Sequence, residues 1–169
     1  MCREGYTIEE ARHILESGEK LPIQKQKGPT IGLLGYVYNI YDSYISMDII
    51  KRLRNMGVNV VTFEMFDEKE IENRGKGKGV FWSFARKLYN AGNRMLEDEK
   101  IDGIIHLTAF ACGPDSVIGK LLEGDCAKGR KPFMTIRVDE HTGEGHVQTR
   151  IEAFVDMLNR KKTAVKEVI

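Results

Sequence analysis

Short apolar runs alternating with amphipathic stretches predict an α/β fold, a parallel sheet with helices on both faces. Three observations carry this. The runs Ile31 to Tyr36, Val58 to Phe63, Ile104 to Leu107 and Phe133 to Val138 are four to six residues long and largely uninterrupted, as in strands covered on both faces. Between them apolar residues recur at helical spacing. The chain of 169 residues fits one domain with one core.

Taken in order, Thr7-Ile8-Glu9-Glu10 has the spacing of a capping box, in which hydroxyl and carboxylate satisfy the first helical amides. Ile8, Ala11 and Leu15 continue a short helix that ends near Gly18. Glu19 to Pro29, poor in apolar residues and holding two prolines, reads as a connector. Residues 1–28 are therefore expected to be a helical arm with its connector, and 29–169 a single α/β domain. After the first strand, Ile45, Ile49, Leu53 and Met56 make one helical stripe; after the second, Phe81, Phe84, Ala85, Leu88, Gly92, Met95 and Leu96 make another. Val117, Ile118, Leu121 and Leu122 follow the third strand, and Ile151, Phe154, Val155 and Leu158 the fourth, with Arg160 to Ile169 as a fraying end. The expected strand order is 2-1-3-4, a three-layer, Rossmann- or flavodoxin-like arrangement.

Charge excludes some functions. Lys+Arg 26 against Asp+Glu 25 leaves +1, so bulk electrostatics does not point to nucleic acid. No window approaches the roughly 20 apolar residues of a membrane span, and Met1-Cys2-Arg3-Glu4 offers no apolar start for a signal peptide. A cytoplasmic protein with no membrane partner is expected. Cys2, Cys112 and Cys126 are widely spaced and odd in number, which argues for free thiols.

In an open parallel sheet ligands gather beyond the carboxyl ends of the strands. That edge should carry Gly35 to Asp42, Thr108 to Asp115 and Asp139 to Gly145. Gly113 can cap the next helix and Pro114 suits its first turn, which sets Cys112 beside a positive helix end. Cys112 is then a metal or iron–sulfur ligand, a nucleophile, or simple turn packing, and its thiolate fraction should exceed that of Cys126, read as a thiol in a polar loop. A self-contained metal site is not expected, because zinc and iron–sulfur sites want three or four ligands. Asp139, Glu140, His141, Glu144 and His146 read as acid–base groups, ligands of a hard metal, or a polar loop whose acids cap the last helix. Glu144 stands where the cobalamin pattern D-x-H-x-x-G needs glycine. His106, inside an apolar strand, reads as a satisfied core histidine. Arg74-Gly75-Lys76-Gly77-Lys78-Gly79 lacks the Walker spacing and reads as a solvated loop or a phosphate contact.

The run Asp102-Gly103-Ile104-Ile105-His106-Leu107-Thr108-Ala109-Phe110-x-Cys112-Gly113-Pro114-Asp115, then Lys131-Pro132-Phe133-Met134, Asp139-Glu140-His141-Thr142-Gly143-Glu144 and Gln148-Thr149-Arg150-Ile151-Glu152-Ala153-Phe154, resembles the C-terminal part of CoA-protein activase-related proteins in the 2-hydroxyacyl-CoA dehydratase D-component (beta-subunit) family. The resemblance covers roughly Pro29 to Leu158, with Arg3 to Gly18 similar to a helical lead-in. It implies one half of a protein that uses a [4Fe–4S] cluster for low-potential electron transfer to acyl-CoA, served by an ATP-dependent activase. It further implies Cys112 as one cluster ligand, with Gly113, Asp115, Asp139, Glu140 and His141 as cofactor-side residues. Asp139, Glu140 and Thr149 to Glu152 match the family's motif and read alternatively as purely structural, with Arg150 bridging to a strand-end acid.

The other cluster cysteines would come from a missing N-terminal half-domain or companion subunit, without which neither a bound cluster nor turnover is expected. The alternative is a non-catalytic interaction or assembly domain with the same fold. Tyr36, Tyr38, Tyr41 and Phe110 are expected to be exposed at the strand ends and to drive a homodimer in isolation.

Overall fold

The computed structural model describes residues 6–19, 26–72 and 80–166. The elements are α1 (Ile8–Ser17), β1 (Thr30–Leu34), α2 (Val37–Tyr41), α3 (Ser43–Ser46), α4 (Ile49–Asn55), β2 (Asn59–Thr62), α5 (Glu68–Glu72), α6 (Ser83–Glu97), β3 (Gly103–Ala109), α7 (Gly113–Lys128), β4 (Phe133–Val138) and α8 (Glu144–Lys166), with a 3-10 turn over Phe63–Met65. The four strands are parallel in the order β2-β1-β3-β4, as predicted.

Alternation of side chains along each strand sends two apolar sets to opposite faces. Ile31, Leu33, Ile105, Leu107, Ile136 and Val138 meet α4 and α8 through Leu53, Ile151, Phe154 and Leu158. Leu34 and Ile104 meet α6 and α7 through Leu88, Met95, Ile118 and Leu122. Each such buried aliphatic side chain contributes about 1.5–3 kcal/mol. Thr7 and Glu10 form the expected capping box, and Gly18 closes α1 with a left-handed backbone. Ala11 and Ile14 are buried, and Glu10 forms an ion pair with Arg54 of α4.

Several expectations are corrected. The first strand stops at Leu34 because Gly35 lies against the neighbouring strand, where a Cβ would stand 2.5 Å from the Leu107 carbonyl oxygen, and Tyr36 caps α2. The stripe from Ile45 to Met56 is split: Met47 and Asp48 both have positive φ (51° and 55°) and turn the chain between α3 and α4. Phe81 is exposed and precedes α6, and Val117 and Leu121 lie on the solvent side of α7. The last helix is continuous past Arg160 to Lys166. The Arg74–Gly79 loop, Cys2 and most of the Glu19–Pro29 connector lie outside the described residues. Among the described residues, no helix is long and apolar enough to cross a membrane.

Candidate functional site

Parallel strands deliver the segments after β1, β2, β3 and β4 to one edge, and the helices that follow begin there. Cys112 is half-buried and is itself the cap of α7, so the predicted cap at Gly113 shifts by one residue; Gly113 and Pro114 form the first turn. The turn into it is anchored at both ends. Phe110 N donates to Val138 O (2.8 Å), and Ser116 N donates to Cys112 O (2.9 Å). Between them Ala111 holds φ 61°, a left-handed conformation that a residue with a Cβ adopts at a cost.

Below Cys112, Asp115 is fully buried, and its Oδ1 lies 2.9 Å from Nε2 of His106 on β3. His106 is therefore a core histidine, but only half satisfied. Its Nδ1 has no partner and faces α7, where a Cβ on Gly119 would come within 2.9 Å of it. Orphaned buried donors are rarer than orphaned acceptors, so the proton belongs on Nε2, which donates to Asp115.

Asp115 Oδ2, both amide atoms of Asn39 in α2, and Glu64 Oε1 after β2 are also buried without partners. Among the described residues, the unpartnered atoms of Asn39, Glu64 and Asp115 thus belong to the segments that follow three adjacent strands, while His106 Nδ1 lies within β3. Tyr41 shares its hydroxyl between Thr62 Oγ1 and Glu64 Oε2, 3.2 Å from each. Burial raises the Glu64 carboxyl, and burial followed by the Glu64 charge raises the Tyr41 hydroxyl.

Tyr36 stacks on Phe84 at 4.9 Å and stands 5.7 Å from the Tyr38 ring. Burial first, then the nearby Cys112 and Asp115, push both tyrosine hydroxyls upward, so they remain protonated donors. Tyr38 and Phe110 are 49% and 66% exposed. Tyr36 and Tyr41 are not, because the Phe84 stack and the Glu64 contact hold them partly buried.

The β4 end is different in character. The exposed Asp139 closes its own loop: its Oδ1 accepts from His141 N (3.0 Å) and Thr142 Oγ1 (2.7 Å). The Thr142 contact is the main cause of its lowered pKa. The acid caps the loop rather than the last helix. Glu140 and His141 are exposed and 3.7 Å apart, while Glu144 pairs with Arg52 of α4 at 2.7 Å. Arg150 does not bridge to an acid; its Nη2 donates to Thr135 O on β4 (3.0 Å).

Cys126 is not in a polar loop. It lies in α7, fully buried, and burial pushes its thiol up to about 11. The fold therefore gathers Cys112, Gly113 and the buried Asp115 at one strand end and leaves Asp139, Glu140 and His141 on a self-contained loop beside it.

The sequence reading missed the His106–Asp115 pairing and the roles of Asn39, Glu64 and Tyr41. One signal was available: Asp115 stands three residues after Cys112, in a first helical turn, and His106 shares the strand face of Ile104 that α7 covers.

No curated protein matches the chain. The family model for 2-hydroxyglutaryl-CoA dehydratase, D-component, matches residues 5–158, taking in α1, all four strands and the whole strand-end edge. The chain therefore belongs to the 2-hydroxyglutaryl-CoA dehydratase D-component family, as a component of a 2-hydroxyacyl-CoA dehydratase-type system.

Proposed function

We propose that the chain contributes one cysteine, Cys112, to an iron–sulfur site completed by a companion component and acting on acyl-CoA. The observation that carries this reading is position. Cys112 is the accessible one of the two described thiols, and it stands at the edge where the exposed Tyr38 and Phe110 and the unpartnered buried atoms of Asn39, Glu64 and Asp115 collect.

The donor set fits one corner of a cluster and no more. Among the described residues no group of three or more His, Cys, Asp and Glu could hold a metal, whereas a cubane takes four thiolates. When bound, the cluster would supply a low-potential electron to the thioester. Cys112 would hold it, Tyr36 and Tyr38 would offer hydroxyl donors beside it, and Tyr38 and Phe110 would pack against the companion and exclude water. Residues 29–169 act as one α/β domain in this reading, with residues 1–28 as its arm. The ATP-dependent activase and the companion are the partners, in the cytoplasm, and a homodimer substitutes when the companion is absent.

Anaerobic reconstitution with iron and sulfide tests this. A charge-transfer band near about 400 nm should form only with a companion supplying the remaining cysteines, disappear in Cys112→Ser, and persist in Cys126→Ser. A band that survives Cys112→Ser, or that never forms with such a companion, overturns the reading. That only one thiol is accessible among the described residues also favours a second reading, an assembly domain that binds its companion without any cluster. Stable complex formation with no band under any reconstitution is its signature.

A further inference from the structure

We propose that His106 and Asp115 are positioning residues for the Cys112 thiol, a buried tether that holds the first turn of α7 against the centre of the sheet. Ala111 keeps its left-handed backbone only because the chain on both sides is fixed. Upstream, the bond from Phe110 N to Val138 O fixes it to β4. Downstream, Cys112 makes no side-chain cap bond, so its sulfur does not anchor the helix start.

Downstream, the local bonds from Cys112 N to Ala109 O (3.3 Å) and from Ser116 N to Cys112 O (2.9 Å) close the turn on itself; the contact that ties it to the sheet is Asp115, one turn into α7, whose carboxylate accepts from the His106 imidazole at 2.9 Å. His106 belongs to β3, between β1 and β4, and is paired in register with Leu34 and Thr135. It cannot swing away, because Gly119 closes on the far side of its ring and Phe133 lies beside it with ring centroids 6.3 Å apart. The relation of Asp115 to the helix start is favourable in itself, since a carboxylate in the first turn is stabilised by the helix dipole. Breaking the tether releases the strained turn, and the thiol leaves its half-buried place.

This inference gives the cysteine of the proposed site its supporting residues, so its importance for function rests on that reading. Its test uses neither cluster nor companion, and the two fail separately. Cys112 of the intact chain is alkylated with iodoacetamide at pH 7 and read by peptide mass spectrometry, which separates it from Cys2 and Cys126. His106→Leu, of similar size but without a donor, should change the Cys112 rate at least threefold with native circular dichroism. His106→Gln, whose amide can still donate to Asp115, should restore the rate to within twofold of the parent.

A folded His106→Leu that labels within threefold of the parent overturns the proposal, and so does a His106→Gln that fails to restore the rate. If His106→Leu does not fold, the native chain decides. Carbamidomethylation of Cys112 should then move the His106 imidazole nitrogen resonances, and unmoved resonances overturn the proposal.

Discussion

The two described cysteines differ in what surrounds the sulfur, and substitution should separate them. Cys126→Ser places a hydroxyl among Leu122, Ile101 and their neighbours in the apolar layer between sheet and α7. It should cost about 1–3 kcal/mol, the penalty of burying an unpaired hydroxyl, read as a lower urea midpoint. Cys112→Ser, at a half-buried helix cap where serine is a preferred residue, should leave the midpoint within about 0.5 kcal/mol. Ala111→Gly should raise stability by up to about 1 kcal/mol, because removal of the Cβ relieves the positive φ while glycine's greater freedom when unfolded returns part of the gain. How much of this was legible differs by residue. The turn at Cys112 could be read from Gly113 and Pro114, since both leave a local mark on the chain. The depth of Cys126 could not, because Glu123-Gly124-Asp125 before it reads as polar surface and only the packing of α7 on the sheet puts the next residue inside.

At the scale of elements, α1 is held to the domain by the Glu10 carboxylate, which binds Arg54 while completing the cap at Thr7. Burial works to raise the Glu10 pKa, but the Arg54 and Thr7 contacts override it and bring it below 4.5. A lowered carboxyl stabilises the fold above its unfolded value and loses that contribution as pH falls through the folded one. Acid should therefore loosen α1 first, seen as lower amide protection factors over Ile8–Ser17 below about pH 4.5. Glu10→Gln should show the same low protection at pH 7 and no further loss of protection in acid. The β4 edge is guarded in another way. Arg150 occupies the Thr135 carbonyl, which an incoming strand would otherwise use. Arg150→Ala should increase self-association, measured by sedimentation velocity across a concentration series; an unchanged distribution counts against the guard. Strand identity and order were readable because uninterrupted apolar runs have few alternatives in a small parallel sheet. The breaks at Gly35 and at Met47-Asp48 were not. The first depends on a contact with Leu107 on another strand, and the second on a left-handed pair that no local residue preference announces.

For the whole molecule, the exposed aromatic groups of the strand-end edge bear on association. Tyr38, Phe110 and the start of α6 at Trp82 leave apolar surface open around the strand ends. If that surface meets a second copy when no companion is present, light scattering should report a homodimer, and Tyr38→Ser with Phe110→Ser should return it to a monomer. A parent chain that stays monomeric at high concentration contradicts this. The sheet order has a further consequence, for synthesis. The two central strands, β1 and β3, are joined by the backbone of Thr30 bonded to Asp102, 72 positions later (2.7 Å). At about 5–20 residues per second, an emerging chain spends several seconds with β1 made and its inner neighbour not yet translated. Through that interval Ile31, Leu33 and Leu34 have only β2 and the first helices to cover them. Ribosome-bound chains halted before residue 103 should therefore be captured by hydrophobic-binding chaperones, and those halted well after β4 should escape.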